Sequence, residues 1–211
     1  MLRDLFLDCR SLEYCNVSVE LGDYRIVIVS SGVKRSLVAS AYNTRLAECQ
    51  QGAGFFSKID KQVRAMRDVT PEMLEDHGDG LSTIFSRRCR HVVDENERVL
   101  RAVSALEHGK LDEFDALMNA SHESLRDEYE MTCPKLDLLV ELSRKTDGVL
   151  GRRMTGGFGG CTVSLVHRDG VQQMTDRLNH EYTGGFGLEP GVFLLVLNRE
   201  AGSIELSAEK S

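Results

Sequence analysis

Arg153-Met154-Thr155-Gly156-Gly157-Phe158-Gly159-Gly160-Cys161 is the stretch on which the reading of this chain turns, and an apolar, strand-like run over 162–166 follows it directly. Four glycines within positions 156–160 give a backbone that reaches positive φ and lies close to a ligand without Cβ clashes. Successive amides in such a turn can converge on an anion such as a phosphate. On glycine content alone, a tight turn feeding a strand is the plainer reading. What surrounds the stretch decides between them.

Downstream, 161–166 reads as a strand. Val171, Met174, Leu178 and Tyr182 mark a helix, and the run 192–197 reads as a second, buried strand. The glycine-rich loop therefore opens a strand–helix–strand unit. Thr183-Gly184-Gly185-Phe186-Gly187 repeats Thr155 to Gly159 letter for letter, and its place between a helix end and a strand reads as a loop with no phosphate role.

Upstream, the spacing predicts three antiparallel helices. Phe85, Cys89, Val92, Val93, Asn96, Val99, Leu100, Val103 and Leu106 mark one face of the first, which stops at Gly109. Leu111, Phe114, Leu117, Met118, Ser121 and Leu125 mark the second; after Pro134, Leu136, Leu139 and Leu142 mark the third. Thr70-Pro71-Glu72 opens a short capped helix. Helical spacing from Ser36 through Val38, Tyr42, Arg45 and Cys49 is expected to end at Gly52 and Gly54. The first thirty residues read as three strands of one sheet segment, the last of them Ile26-Val27-Ile28-Val29, buried on both faces. The sum is an α+β chain in which a sheet packs with a helical layer.

The net charge of −7 lacks the basic face that nucleic-acid binding needs. No apolar run approaches a membrane span, and six cysteines without metal-ligand spacing read as reduced, buried thiols of a cytoplasmic protein. Ser121, His122 and Asp127 do not make a nucleophile–base set, because neighbours on a helix point apart. Asp8 reads as pairing with Arg10 or capping a turn, rather than as a base.

Several stretches together resemble galactokinases. They are Leu7-Asp8-Cys9-Arg10-Ser11-Leu12; Val33-Lys34-Arg35-Ser36-Leu37-Val38 with Ala41-Tyr42-Asn43-Thr44-Arg45; 120–130 with Cys133-Pro134-Lys135-Leu136-Asp137; and the glycine-rich stretch itself, which looks like that family's third signature. They keep the family's order and spacing and cover nearly the whole chain. The resemblance implies a sugar kinase of the GHMP type that passes the γ-phosphoryl of ATP, with Mg2+, to galactose in a cleft between two domains. It implies a GHMP-type C-terminal domain over 36–211, with the strands of 1–35 continuing from an N-terminal domain. Tyr42 matches a sugar-contacting tyrosine, and Gly156, Gly157, Phe158, Gly159 and Gly160 match the loop that lines the cleft.

The departures shape the expectation. The family's first signature, its Gly-Leu-Ser-Ser-Ser phosphate loop and its catalytic Asp and Arg have no match in this sequence, and the third motif is one glycine short. No catalytic residue and no metal ligand is therefore assigned. The chain reads as the C-terminal half of a galactokinase that needs a separate N-terminal half; the alternative is a truncated, inactive relative or a sugar-binding module. An uncovered interdomain surface, at Leu5 to Leu7 and Ile26 to Val29, is expected to drive self-association.

Overall fold

In the computed structural model, residues 2–33 and 38–195 are described. The expected domain boundary at 35/36, the Lys34–Leu37 part of the second motif, and Val196 and Leu197 lie outside them. β1 (Leu2–Leu7) and β2 (Tyr14–Val19) form a two-stranded antiparallel sheet of their own. Asp8 shapes the connection between them: its Oδ1 accepts from the amides of Arg10 and Ser11, and Leu12 takes φ 61°.

The second sheet has four antiparallel strands in the order β4 (Val149–Thr155), β5 (Cys161–His167), β3 (Tyr24–Ser30), β6 (Gly191–Leu195). β3 is thus not a third strand beside β1 and β2, as expected. It pairs on both sides, Ile28 opposite Val163 of β5 and Phe193 of β6. Val27 and Val29 are buried, and Ile26 packs against the core under β2. The run Ile26 to Val29 is therefore interior, not the exposed surface anticipated from the sequence. β6 is an edge strand and only half-buried, because β3 covers one of its sides alone.

Seven helices complete the described chain: α1 (Val38–Ile59), α2 (Pro71–His77), α3 (Thr83–Glu107), α4 (Leu111–Asp127), α5 (Pro134–Arg144), α6 (Val171–Arg177) and α7 (Thr183–Phe186). α1 does not end at Gly52 and Gly54 but runs through both. A Cβ at Gly52 would stand 2.3 Å from Cys89 Sγ on α3, so here the missing side chain permits close helix packing rather than a stop. α2 starts as read: Thr70 Oγ accepts from the Met73 amide. On α3 the apolar face is narrower than its letters, since Val99 and Leu100 are exposed.

One face of the large sheet buries Val27, Val29, Val149 and Val166 under Leu139 and Leu142 of α5 and under Met174, Leu178 and Tyr182. Those last three follow a continuous helical path, because α6 passes through a π-helical turn (178–182) into α7. The repeat Thr183–Phe186 is thus a helical turn rather than a loop, ended by Gly187 at φ 64°. The other face packs Leu150 and Leu165 against Val17, Val19 and Leu21 and against Val103 and Phe114 of α3 and α4. A separate core joins α1, α2 and α3 around Phe56, Met66 and Cys89.

The six cysteines are free, but Cys9 and Cys15 are exposed and only Cys49 and Cys89 are buried, which corrects the expectation of uniformly buried thiols. Burial pushes the Cys89 thiol up to about 12. Among the described residues no helix is long and apolar enough to cross a membrane.

Candidate functional site

The glycine-rich loop closes a β-hairpin. β4, which the sequence reading left out, pairs with β5 so that Thr155 stands opposite Cys161 and residues 156–160 form the connection. β4 hides in the sequence because Gly151 (φ 54°) makes a bulge between Leu150 and Arg152, breaking the period of two. Arg152 then turns inward, where Asp115 of α4 meets both its guanidinium and the Gly151 amide.

Within the connection, four successive residues have positive φ: Gly156 (81°), Gly157 (52°), Phe158 (48°) and Gly159 (120°). Phe158 is the one residue there that bears a Cβ in the left-handed region, at a cost of about 1–2 kcal/mol. Three glycines are also fixed by packing. A Cβ would lie 2.6 Å from Met131 at Gly157, 2.6 Å from Val33 at Gly159, and 2.4 Å from the Thr155 carbonyl oxygen at Gly160.

The loop is held from two sides. Ser31, at the exit of β3, donates its amide to the Gly160 carbonyl (3.1 Å) and its hydroxyl to the Gly159 carbonyl (2.9 Å). On the other side the Phe158 amide donates to the Met131 carbonyl at 2.8 Å, so that amide is not available to a ligand. Among the described residues, the amides of Gly156, Gly157 and Gly159 make no hydrogen bond. These unbonded donors on a fixed hairpin are what the loop can offer an anion.

Met131 belongs to a segment tied down by arginines. Arg88 of α3, almost wholly buried, donates to Glu48 (2.8 Å), to Glu130 (2.5 Å) and to the Glu128 carbonyl. Arg45 of α1 donates to the Tyr129 carbonyl at 2.6 Å and to Glu48. Arg87 adds Glu130 and the Asp127 carbonyl. Glu130 itself takes φ 53°. Sequence reading passed over Arg87 and Arg88; their signal would have been two arginines on an apolar-faced helix with acidic residues at 48 and 130.

Tyr42 lies on α1, one turn from Arg45 and so on the same side of the helix. It is 55% exposed. Burial raises the Tyr129 phenol well above its ordinary value, and Tyr42 adds to that rise. The 129–131 segment therefore meets α1 through Arg45 and the glycine-rich loop through Met131.

Ser121 and His122 diverge as expected. Ser121 Oγ donates to Glu95 at 2.5 Å, whereas buried His122 accepts from the Met154 amide through Nδ1 and turns Nε2 toward Asp137. Desolvation holds His122 down at about 4, so it is neutral at neutral pH. Asp8 caps its turn as read, but its partner is Arg67 rather than Arg10, which pairs with Asp68 instead. The Arg67 contact keeps the Asp8 carboxyl far below the usual range.

An antiparallel sheet covered by helices, with a glycine-rich hairpin held against the segment that follows α4, is the architecture of a GHMP kinase C-terminal domain, and the family GHMP kinases C terminal matches residues 102–184. The match covers those residues of the chain, and the chain as a whole is similar to the C-terminal half of galactokinases. The galactokinase of Clostridium beijerinckii is 41% identical over 196 residues, covering 92% of this chain and 50% of the relative. That of Halalkalibacterium halodurans is 41% identical over 195 residues, covering 92% and 49%. The crystal structure of Lactococcus lactis galactokinase complexed with galactose superposes with a TM-score of 0.85 at 37% identity, covering 91% of this chain and 50% of that one. L. major mevalonate kinase in complex with R-mevalonate shares the fold, with a TM-score of 0.51 at 18% identity over 84% and 44% of the two chains. The chain spans about half the length of the curated relatives it matches, and the matched part is their C-terminal half.

Proposed function

We propose that this chain supplies the C-terminal half of a galactokinase-type enzyme, in which the γ-phosphoryl of ATP passes to galactose in a cleft completed by an N-terminal half. The unbonded amides of Gly156, Gly157 and Gly159 carry the reading. Phosphoryl transfer depends on positioning and on preorganised donors facing phosphate oxygens. A hairpin pinned by Ser31 on one side and Met131 on the other presents such donors without reorganisation. ATP, when bound, supplies the phosphoryl group; this chain's loop binds and orients its oxygens, and Tyr42 contacts the sugar from α1. Among the described residues no cluster of three His, Cys, Asp or Glu could hold a metal. Mg2+ in phosphoryl-transfer sites is held largely through substrate phosphates and water and needs no such cluster; no step is assigned here to a metal held by this chain.

The test is to mix the purified chain with the N-terminal half of the C. beijerinckii galactokinase and to follow ATP-dependent phosphorylation of galactose. Turnover by the mixture, with none by either part, is the expected result. Tyr42→Ala in that mixture should raise KM for galactose more than KM for ATP. A stable complex of the two halves that binds galactose but never turns over would reduce the chain to a sugar-binding role.

A further inference from the structure

We propose that a second site, behind the glycine-rich hairpin, binds a small amphipathic carboxylate: an aliphatic or aromatic body with one anionic head. A cavity of about 330 Å3 opens between α3, α4, β2 and β5, a volume in the range of small-molecule sites. Its walls are apolar, with Leu21, Val99, Ala102, Phe114, Met118 and Val163 among them. All of its charge lies at one end, where Arg98 and Arg153 meet the single carboxylate of Glu95.

Two guanidiniums against one carboxylate leave an excess positive charge at that end. Ser121 also donates to Glu95, at 2.5 Å, so the carboxylate is saturated while the arginines are not. A guanidinium has five N–H donors. Among the described residues Arg98 uses Nη1, on Glu95, and Arg153 uses Nη1 on Glu95 and Nε on the Met154 carbonyl. The Arg98 side chain is 13% exposed, and the donors it leaves over are not sealed from the cavity and solvent. Arg98 also lines an adjoining depression with Asp94, Glu97 and Glu113, none of which lines the cavity itself. A carboxylate is the head group whose charge and acceptors suit such an end, and the largely apolar walls suit an aliphatic or aromatic body better than a polyhydroxylated sugar.

Arg153 and Thr155 sit on β4 immediately before Gly156, so an occupant that draws Arg153 from Glu95 acts on the strand that carries the hairpin. The site itself does not rest on the phosphoryl-transfer reading.

Calorimetric titration of the full chain with octanoate, 1-octanol and octylamine tests it. Octanoate should bind saturably at one site, at least tenfold tighter than 1-octanol and far tighter than octylamine. Arg98→Met should weaken octanoate at least tenfold and leave 1-octanol unchanged; Ala102→Phe, which fills the cavity, should abolish both. The comparison of the three ligands needs no variant, so a poorly folding Ala102→Phe does not shelter the idea. Absent saturation, equal affinity for octanoate and 1-octanol, or an Arg98→Met chain that binds octanoate like the parent would each overturn it.

Discussion

Replacing Gly52 by Ala and, separately, Gly54 by Ala puts the same methyl group on the same helix two residues apart, and the structure assigns the two changes opposite signs. In a helix interior, Gly→Ala stabilises by roughly 0.5–1 kcal/mol, through backbone entropy lost by the unfolded chain. At Gly54 nothing lies within 4 Å of the added Cβ, so that gain should appear in full. At Gly52 the Cβ would stand 2.3 Å from Cys89 Sγ and 3.4 Å from Met66 Sδ. Cys89 is fully buried beside Phe56, with its sulfur 3.7 Å from Met66 Sδ, so it has nowhere to retreat. Overpacking of this kind costs about 1–3 kcal/mol, which exceeds the helix gain. Gly52→Ala should therefore destabilise by about 0.5–2 kcal/mol and Gly54→Ala should stabilise. Urea titrations with unchanged slope would read both as midpoint shifts. In the double variant Gly52→Ala/Cys89→Ala the clash is gone, and a coupling of about 1 kcal/mol or more should appear. If Gly52→Ala shifts the midpoint upward as Gly54→Ala does, the close α1–α3 contact is not what carries the helix through its glycines.

Three further outcomes are expected. Stability should fall as pH drops from about 6.5 toward 4, because burial holds His91 and His122 at about 4 while the unfolded histidines protonate near 6.5; by pH 5 each contributes a loss of about 1–2 kcal/mol, and His122→Gln should flatten the urea-midpoint profile between pH 7.5 and 5. Inserting a Gly between Gly157 and Phe158 should raise turnover of the two-half mixture, since Phe158 would no longer need φ 48°; equal turnover would mean the five-residue connection is already adequate. Leu5 and Leu7 are 56% and 44% exposed on one face of the β1–β2 hairpin, so sedimentation should show self-association that Leu5→Lys/Leu7→Glu reduces and a monomeric parent would refute.

The helical half of the fold was legible because its periodicity is undisturbed: Leu136, Leu139 and Leu142 follow one stripe, and all three are buried. The same held for Met174, Leu178 and Tyr182, even across a π-helical turn, since a core-facing stripe survives one wide turn. Glycine was the commonest source of error. At Gly52 and Gly187 the letter is the same, yet one serves close packing inside a helix and the other a left-handed helix end, and local sequence does not distinguish them. β4 escaped notice for a related reason: Gly151 shifts its register, and Arg152 and Arg153 occupy positions that a pattern of alternating apolar residues reserves for the core. Their justification lies in Asp115 and Glu95, which are distant in sequence.

The loop shows why glycine content alone could not separate a turn from a ligand site. Gly157, Gly159 and Gly160 are each demanded by a neighbour, Met131, Val33 and the Thr155 carbonyl, so their presence is explained before any ligand is invoked. What packing leaves unexplained is the direction of the amides. A hairpin connection of this length could close with its N–H groups turned inward onto its own carbonyls; instead the Gly159 and Gly160 carbonyls are taken by Ser31, and the Phe158 amide by Met131. Among the described residues the amides of Gly156, Gly157 and Gly159 are left without partners as a consequence of contacts made elsewhere. Those contacts trace back to Arg45 and Arg88, which hold the carbonyls of Glu128 and Tyr129 and so set where Met131 meets the loop. The setting of the hairpin is thus tied to α3 and to α1, the helix that carries Tyr42. On the proposed function, the sugar contact of Tyr42 and the phosphate contact of the loop would both be held through that one segment, and a constant separation is what transfer between them requires.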